Sequence, residues 1–166
     1  GRIGAAVARR ARAFGMSILY TGPRGAPEDI EAALDAHRVA LDALLEMSDV
    51  VSIHCPLSPV TRHLVDEGAI ARMKRGAILV NTARGPIVDE AALVPALDSG
   101  RLAAVALDVF EREPVMSDAL RAHPRAMLAP HLGSATTGAR RAMGESAAAS
   151  IRDLLEGRRP RHVVVG

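Results

Sequence analysis

The chain opens Gly1-Arg2-Ile3-Gly4, which reads as the second half of a Gly-x-Gly-x-x-Gly run. In that run one glycine lets backbone approach a pyrophosphate and the next lets a helix pack closely on a strand, while the helix start turns its free N–H groups toward the anion. A helical pattern and then an apolar strand follow, as such a run requires. At the end of that strand stands Tyr20-Thr21-Gly22-Pro23-Arg24, without an acidic residue. A carboxylate here would accept hydrogen bonds from a ribose 2′-hydroxyl and repel a 2′-phosphate. Gly22 leaves room and Arg24 offers positive charge, so NADP is expected over NAD; the alternative is a plain surface turn. His54-Cys55-Pro56 closes another strand. No further ligands stand nearby at metal-binding spacing, so no metal site is expected. Pro56 there would restrict the chain over a flat adenine ring.

The elements that must carry these residues alternate. Helices are predicted over 2–14 (stopped by Gly15), 28–36, 41–47, 66–73, 89–97 (with Asp89 as a possible cap) and 136–155. Strands are predicted over 16–21, 37–40, 50–54, 77–81, 102–109 and 126–129. Strands alternating with helices imply a parallel sheet, and continuous apolar runs such as Leu102–Val109 imply burial on both faces.

Composition excludes several classes. The 166 residues suffice for one domain with a hydrophobic core. That core is aliphatic, since one Tyr, two Phe and no Trp are present. A net charge of +2 leaves no nucleic-acid footprint; the basic residues read as solvated helix faces, and Arg158-Arg159-Pro160-Arg161 as a solvated tail. The single cysteine excludes an internal disulfide and fits a reducing, cytoplasmic setting. No run reaches the ~18 apolar residues of a membrane span, so no membrane partner is expected.

Four stretches in order carry a family resemblance. They are Ser48-Asp49-Val50-Val51-Ser52-Ile53-His54-Cys55-Pro56-Leu57, Val80-Asn81-Thr82-Ala83-Arg84-Gly85, Ala106-Leu107-Asp108-Val109-Phe110-Glu111-Arg112-Glu113-Pro114, and Ala129-Pro130-His131-Leu132-Gly133-Ser134-Ala135-Thr136. The chain resembles the D-2-hydroxyacid dehydrogenases, and within them the glyoxylate/hydroxypyruvate reductase group, judging from Tyr20-Thr21-Gly22 and the stretch from His131 to Thr136. The resemblance implies reduction of a 2-keto acid by hydride from NAD(P)H. In it Arg84 resembles the arginine that holds the substrate carboxylate and polarises the carbonyl. His131 resembles the general acid/base, and Glu113 the carboxylate that orients the imidazole. Asp108 matches the position that bonds the nicotinamide carboxamide. The implied cofactor residues are Gly1, Arg2 and Ile3 at the glycine loop, Thr21, Gly22 and Arg24 at the ribose, and Cys55, Pro56 and Thr61 after the third strand. Thr82, Ala83, Arg84, Asp108, His131 and Ser134 complete them. Taken singly, each catalytic residue has a plainer reading: a surface ion pair for Arg84, a packed core histidine for His131, a solvent-facing carboxylate for Glu113. His37, His63, His123 and His162 lack matching motifs and read as surface or packing residues.

The resemblance implies a Rossmann-type, doubly wound α/β sheet whose first strand, and most of a substrate domain, lie outside this sequence. Residues 1–135 are read as a partial dinucleotide-binding domain and 136–166 as the closing helix and C-terminal remnant associated with the substrate domain. The absent strand would be central, and each buried backbone group it leaves unpaired costs about 1–3 kcal/mol. Folding of the chain alone is therefore expected to be weak. The full-length parent is expected to be a homodimer acting on a small 2-keto or 2-hydroxy acid. Two other classes share the resemblance: nucleotide-sensing corepressors of the C-terminal-binding-protein type, and dehydrogenases of another substrate such as formate or phosphite. The chain by itself is expected to be inactive, because an open crevice does not hold substrate within about 3–3.5 Å of the reacting groups. Residues 1–166 given NADPH with glyoxylate or hydroxypyruvate should leave the nicotinamide absorbance unchanged. Turnover of about 1 s⁻¹ or more would show that the crevice suffices.

Overall fold

The computed structural model describes residues 1–161 and 163, so His162 lies outside the described residues. The order is α1 (Arg2–Ala13), β1 (Ile18–Tyr20), α2 (Glu28–Leu34), β2 (Ala36–Arg38), α3 (Leu41–Met47), β3 (Val50–Ile53), α4 (Glu67–Arg72), β4 (Ala77–Asn81), α5 (Leu93–Asp98), β5 (Leu102–Leu107), α6 (Asp118–Ala122), β6 (Ala126–Leu128) and α7 (Thr137–Leu155). Every strand pairing is parallel. Gly15, at a φ of 78°, stops α1. The Asp66 side chain accepts from the Ala69 N–H at 2.8 Å, so Asp66 caps α4 rather than joining it.

Three expectations change. The helix expected over 89–97 divides into a 3₁₀ turn, Glu90–Ala92, and α5. Pro95 has no N–H to give the Ala91 carbonyl, so the α-helical ladder cannot run back through it. Asp89 does cap, accepting from the Ala91 N–H at 3.1 Å. Helix α6 was not expected; five residues are too few to show a period, although Ser117 caps it and Leu120 is fully buried. Burial on both faces also fails along β4, where Leu79 is fully buried but its neighbour Ile78 is 36% exposed.

The strands form two pieces, β1-β2 and β3-β4-β5-β6. A doubly wound sheet of order 3-2-1-4-5-6 read without its first strand gives this division. Leu79, Leu97, Leu102 and Val105 are the centre of the larger piece's core, with Ile70 and Met73 of the α4 side packed in. The chain divides into two compact units, Gly1–Pro130 and His131–Gly166. In the second, α7 is capped by the Thr136 hydroxyl, which accepts from the Ala139 N–H at 3.2 Å. Among the described residues no helix is long and apolar enough to cross a membrane.

Candidate active site

Polar loops gather where the parallel strands of the larger piece end, which is where open α/β sheets bind ligands. Asn81, the last residue of β4, is almost wholly buried. Its side-chain amide donates to the Arg84 carbonyl at 2.9 Å, and its side-chain oxygen accepts from the Ala83 N–H at 3.0 Å. One buried amide thus shapes the turn Thr82-Ala83-Arg84 and sends the Arg84 side chain into solvent, where it bonds the Ala83 carbonyl.

Gly85 locks this turn to the next loop. A Cβ on it would stand 1.9 Å from the carbonyl carbon and oxygen of Phe110 and 2.5 Å from the Glu111 nitrogen. Only glycine permits that approach of two backbones. The chain after β5 is held from several sides. The Asp108 N–H donates to the Asn81 carbonyl at 3.0 Å. Glu113 accepts the Phe110 N–H at 3.0 Å, and the Glu90 carboxylate accepts the Glu111 N–H. The Glu111 carboxylate meets His63 Nε2 at 2.9 Å, while the His63 N–H donates to the Pro86 carbonyl at 2.9 Å. The Glu90 carboxyl is pushed up chiefly by burial and further by the like charges of Glu111 and Glu113; the Glu111 N–H and Arg112 pull the other way. His63, Asp89 and Glu111 bring three possible ligand atoms within 4.8 Å of one another, and the His63–Glu111 hydrogen bond already occupies two of them.

The dinucleotide side is built from loops of the same unit. Gly1 caps α1 without a side chain, so no cap side chain takes the first-turn N–H groups, and a hollow beside the helix is lined by Gly1, Ile3, Gly4, Val7, Arg10 and His54. A Cβ on Gly4 would lie 3.4 Å from the His54 Cβ, at the near edge of ordinary contact. His54 bonds the Ser52 hydroxyl at 2.9 Å, and its pKa is lowered chiefly by burial. Burial raises the Cys55 thiol. Thr61 closes its loop, donating to the Pro56 carbonyl at 2.7 Å and accepting the Ser58 N–H at 2.8 Å. Unfilled helix-start N–H donors beside glycine suit a pyrophosphate, so the residues present fit a dinucleotide.

The structure brings Arg84, Asp108 and Glu113 to adjoining loops at the ends of β4 and β5. His131, with a φ of 55°, and Ser134 belong to the second unit. Asn81, Gly85, His63 and Glu90 shape the loops but were not singled out from sequence. A glycine directly after the strand-end arginine was a usable signal. His63 gave none, since Glu111 stands 48 residues away.

A parallel sheet with flanking helices, an uncapped glycine-led helix and loops at the strand ends defines a Rossmann-type dinucleotide-binding domain. The family profile described as D-isomer specific 2-hydroxyacid dehydrogenase, NAD binding domain, matches residues 1–133, and the chain belongs to that family. A glyoxylate reductase of Korarchaeum cryptofilum is 47% identical over 165 residues, covering 99% of this chain and 49% of that protein. The crystal structure of a glyoxylate reductase from Paecilomyes thermophila superposes with a TM-score of 0.88 at 46% identity, over 94% of this chain and 47% of that one. A D-lactate dehydrogenase with NAD⁺ from Lactobacillus jensenii gives 0.90 at 31% identity, over 100% and 53%. The chain spans about half the length of the relatives it matches.

Replacing Gly85 by Ala should lower thermal stability by about 1–3 kcal/mol or more, because the backbones of two loops must separate. Thermal unfolding of the full-length parent followed by circular dichroism checks this. An unchanged midpoint would mean that the loops part without cost.

Proposed function

We propose that the protein containing this chain reduces a 2-keto acid of the glyoxylate or hydroxypyruvate kind to the D-2-hydroxy acid, with NADPH preferred over NADH. The observation that carries the reading is the seating of Gly85 on the Phe110–Glu111 backbone, which ties the Arg84 turn to the Glu113 loop. Arg84 binds the substrate carboxylate through its planar fork and draws electron density from the neighbouring carbonyl. His131 gives the carbonyl oxygen its proton, and Glu113 orients the imidazole. The nicotinamide, when bound, supplies the hydride that completes the alcohol carbon. Asp108, buried at the end of β5, takes the carboxamide. Gly1, Arg2 and Ile3 receive the pyrophosphate, and Thr21, Gly22 and Arg24 the adenosine ribose. Cys55, Pro56, Thr61, Thr82, Ala83 and Ser134 line the rest of the cofactor's path.

Residues 1–166 are in this reading a fragment of a homodimeric enzyme, residues 1–135 its partial dinucleotide-binding domain and 136–166 a segment associated with the substrate domain. The half-length match to relatives and the two-piece sheet support that reading. The resemblance to glyoxylate reductases supports the substrate class.

In the full-length parent, His131→Ala should cut kcat by roughly 10²–10⁴, with little change in NADPH affinity. Arg84→Lys should also be damaging, since an ammonium cannot form a bidentate fork. Near-normal turnover of His131→Ala on glyoxylate and hydroxypyruvate would remove His131 as proton donor. Cofactor choice is tested by fluorescence titration at fixed salt. NADPH should bind more tightly than NADH, and Gly22→Asp should shift the preference toward NADH. Equal affinities, or an NADH preference, in the parent would overturn the NADP assignment.

A further inference from the structure

Strand β2 ends beside the turn that follows β1, and it delivers a second cation there. Tyr20 pairs in register with Arg38, and the Val39 N–H donates to the Tyr20 carbonyl at 3.0 Å. Arg38 therefore stands level with the last residue of β1, at the carboxyl ends of both strands. From there its Nη2 donates to the Gly22 carbonyl at 2.8 Å. We propose that Arg38 is a specificity-determining residue whose guanidinium, anchored on the Gly22 carbonyl, binds the 2′-phosphate of NADPH together with Arg24. The proposal rests on the NADP assignment above and names a residue that the local turn sequence does not contain.

The turn is built to hold its shape around such a group. The Tyr20 hydroxyl accepts the Ala26 N–H at 2.7 Å and bonds the Glu31 carboxylate, which fixes the far end of the turn. Arg38 fixes the near end at Gly22. On the neighbouring elements Glu31 bonds Tyr20, Asp35 meets Arg12 at 3.7 Å and His37 at 3.5 Å, and Asp42 meets Arg72 at 3.1 Å. Among the described residues the Arg38 side chain has no ion-pair partner and makes no other hydrogen bond. A guanidinium carries five N–H donors in a planar fork, so one bond to Gly22 leaves most of the fork available. A cation held in place with no carboxylate to neutralise it, beside a turn with no acid, suits a phosphate dianion and gives a ribose hydroxyl little. Gly22 adds space, since a Cβ there would meet nothing closer than the Arg24 carbonyl at 3.7 Å.

A plainer role would be a clamp that shapes the turn for either cofactor. The two roles separate in binding measurements on the full-length parent, carrying Arg38→Met or Arg38→Lys. Calorimetric titrations use NADPH, NADH, 2′,5′-ADP and 5′-AMP. Loss of a charge-assisted hydrogen bond should weaken NADPH and 2′,5′-ADP by about 10- to 100-fold in Arg38→Met, with NADH and 5′-AMP changed less than about twofold. Arg38→Lys should recover part of the loss, and the salt dependence of NADPH binding should flatten in Arg38→Met. Equal losses for NADPH and NADH would reduce Arg38 to a clamp, and no loss for either would remove it from the site; both overturn the proposal while leaving the NADP assignment standing. A parent that binds NADH as tightly as NADPH before any substitution would overturn both.

Discussion

Two backbones touch where Gly85 meets Phe110 and Glu111, and most of the candidate site depends on that contact. A side chain at 85 would overlap the Phe110 carbonyl, so the turn after β4 can rest on the loop after β5 only because nothing projects from it. With the contact made, Arg84 and Glu113 are carried by two loops that cannot drift independently. Asn81 adds the second constraint. Its buried amide would be costly unless satisfied, and it is satisfied only by the bent course of Ala83 and Arg84. The burial of one polar residue therefore determines where a catalytic candidate emerges.

Around this contact the loops are cross-braced by groups from three parts of the chain. Val65 and Val88 form a parallel bridge, with the Val65 N–H donating to Ile87 and the Asp89 N–H to Val65. His63 spans from the Pro86 carbonyl to the Glu111 carboxylate. Glu90 accepts the Glu111 N–H in a half-buried setting that disfavours its own charge. Such a network holds three loops in one arrangement, because its polar groups find partners there that they would otherwise have to seek in water. The dinucleotide side is braced more lightly, by Thr61 across its own loop and by Tyr20 and Arg38 at the two ends of one turn.

Much of this was legible beforehand. Apolar strands alternating with Ala-rich helices determined a parallel α/β sheet, because a crossover between parallel strands needs a connection as long as a helix. Asp89 and Gly15 marked helix ends through chemistry that acts within a few residues. Four ordered motifs determined the family. Local signals failed where structure is short or interrupted: α6 has too few residues to show a period, and Pro95 divides a helix whose apolar pattern runs straight through it.

Tertiary structure alone decided the rest. The pairing of His63 with Glu111 and the reach of Arg38 to Gly22 join residues far apart in sequence through one hydrogen bond each, and neither partner's neighbours announce the other. Sequence periodicity reports which face of an element is apolar, since that is a property of consecutive residues. It carries no record of which loop ends lie side by side, since that follows from strand order and register. By itself the sequence determined a dinucleotide-binding sheet of the hydroxyacid dehydrogenase family. The fold decided which buried amide, which glycine and which distant histidine give its loops their shape, because close approach of two backbones exists only once both strands are in place.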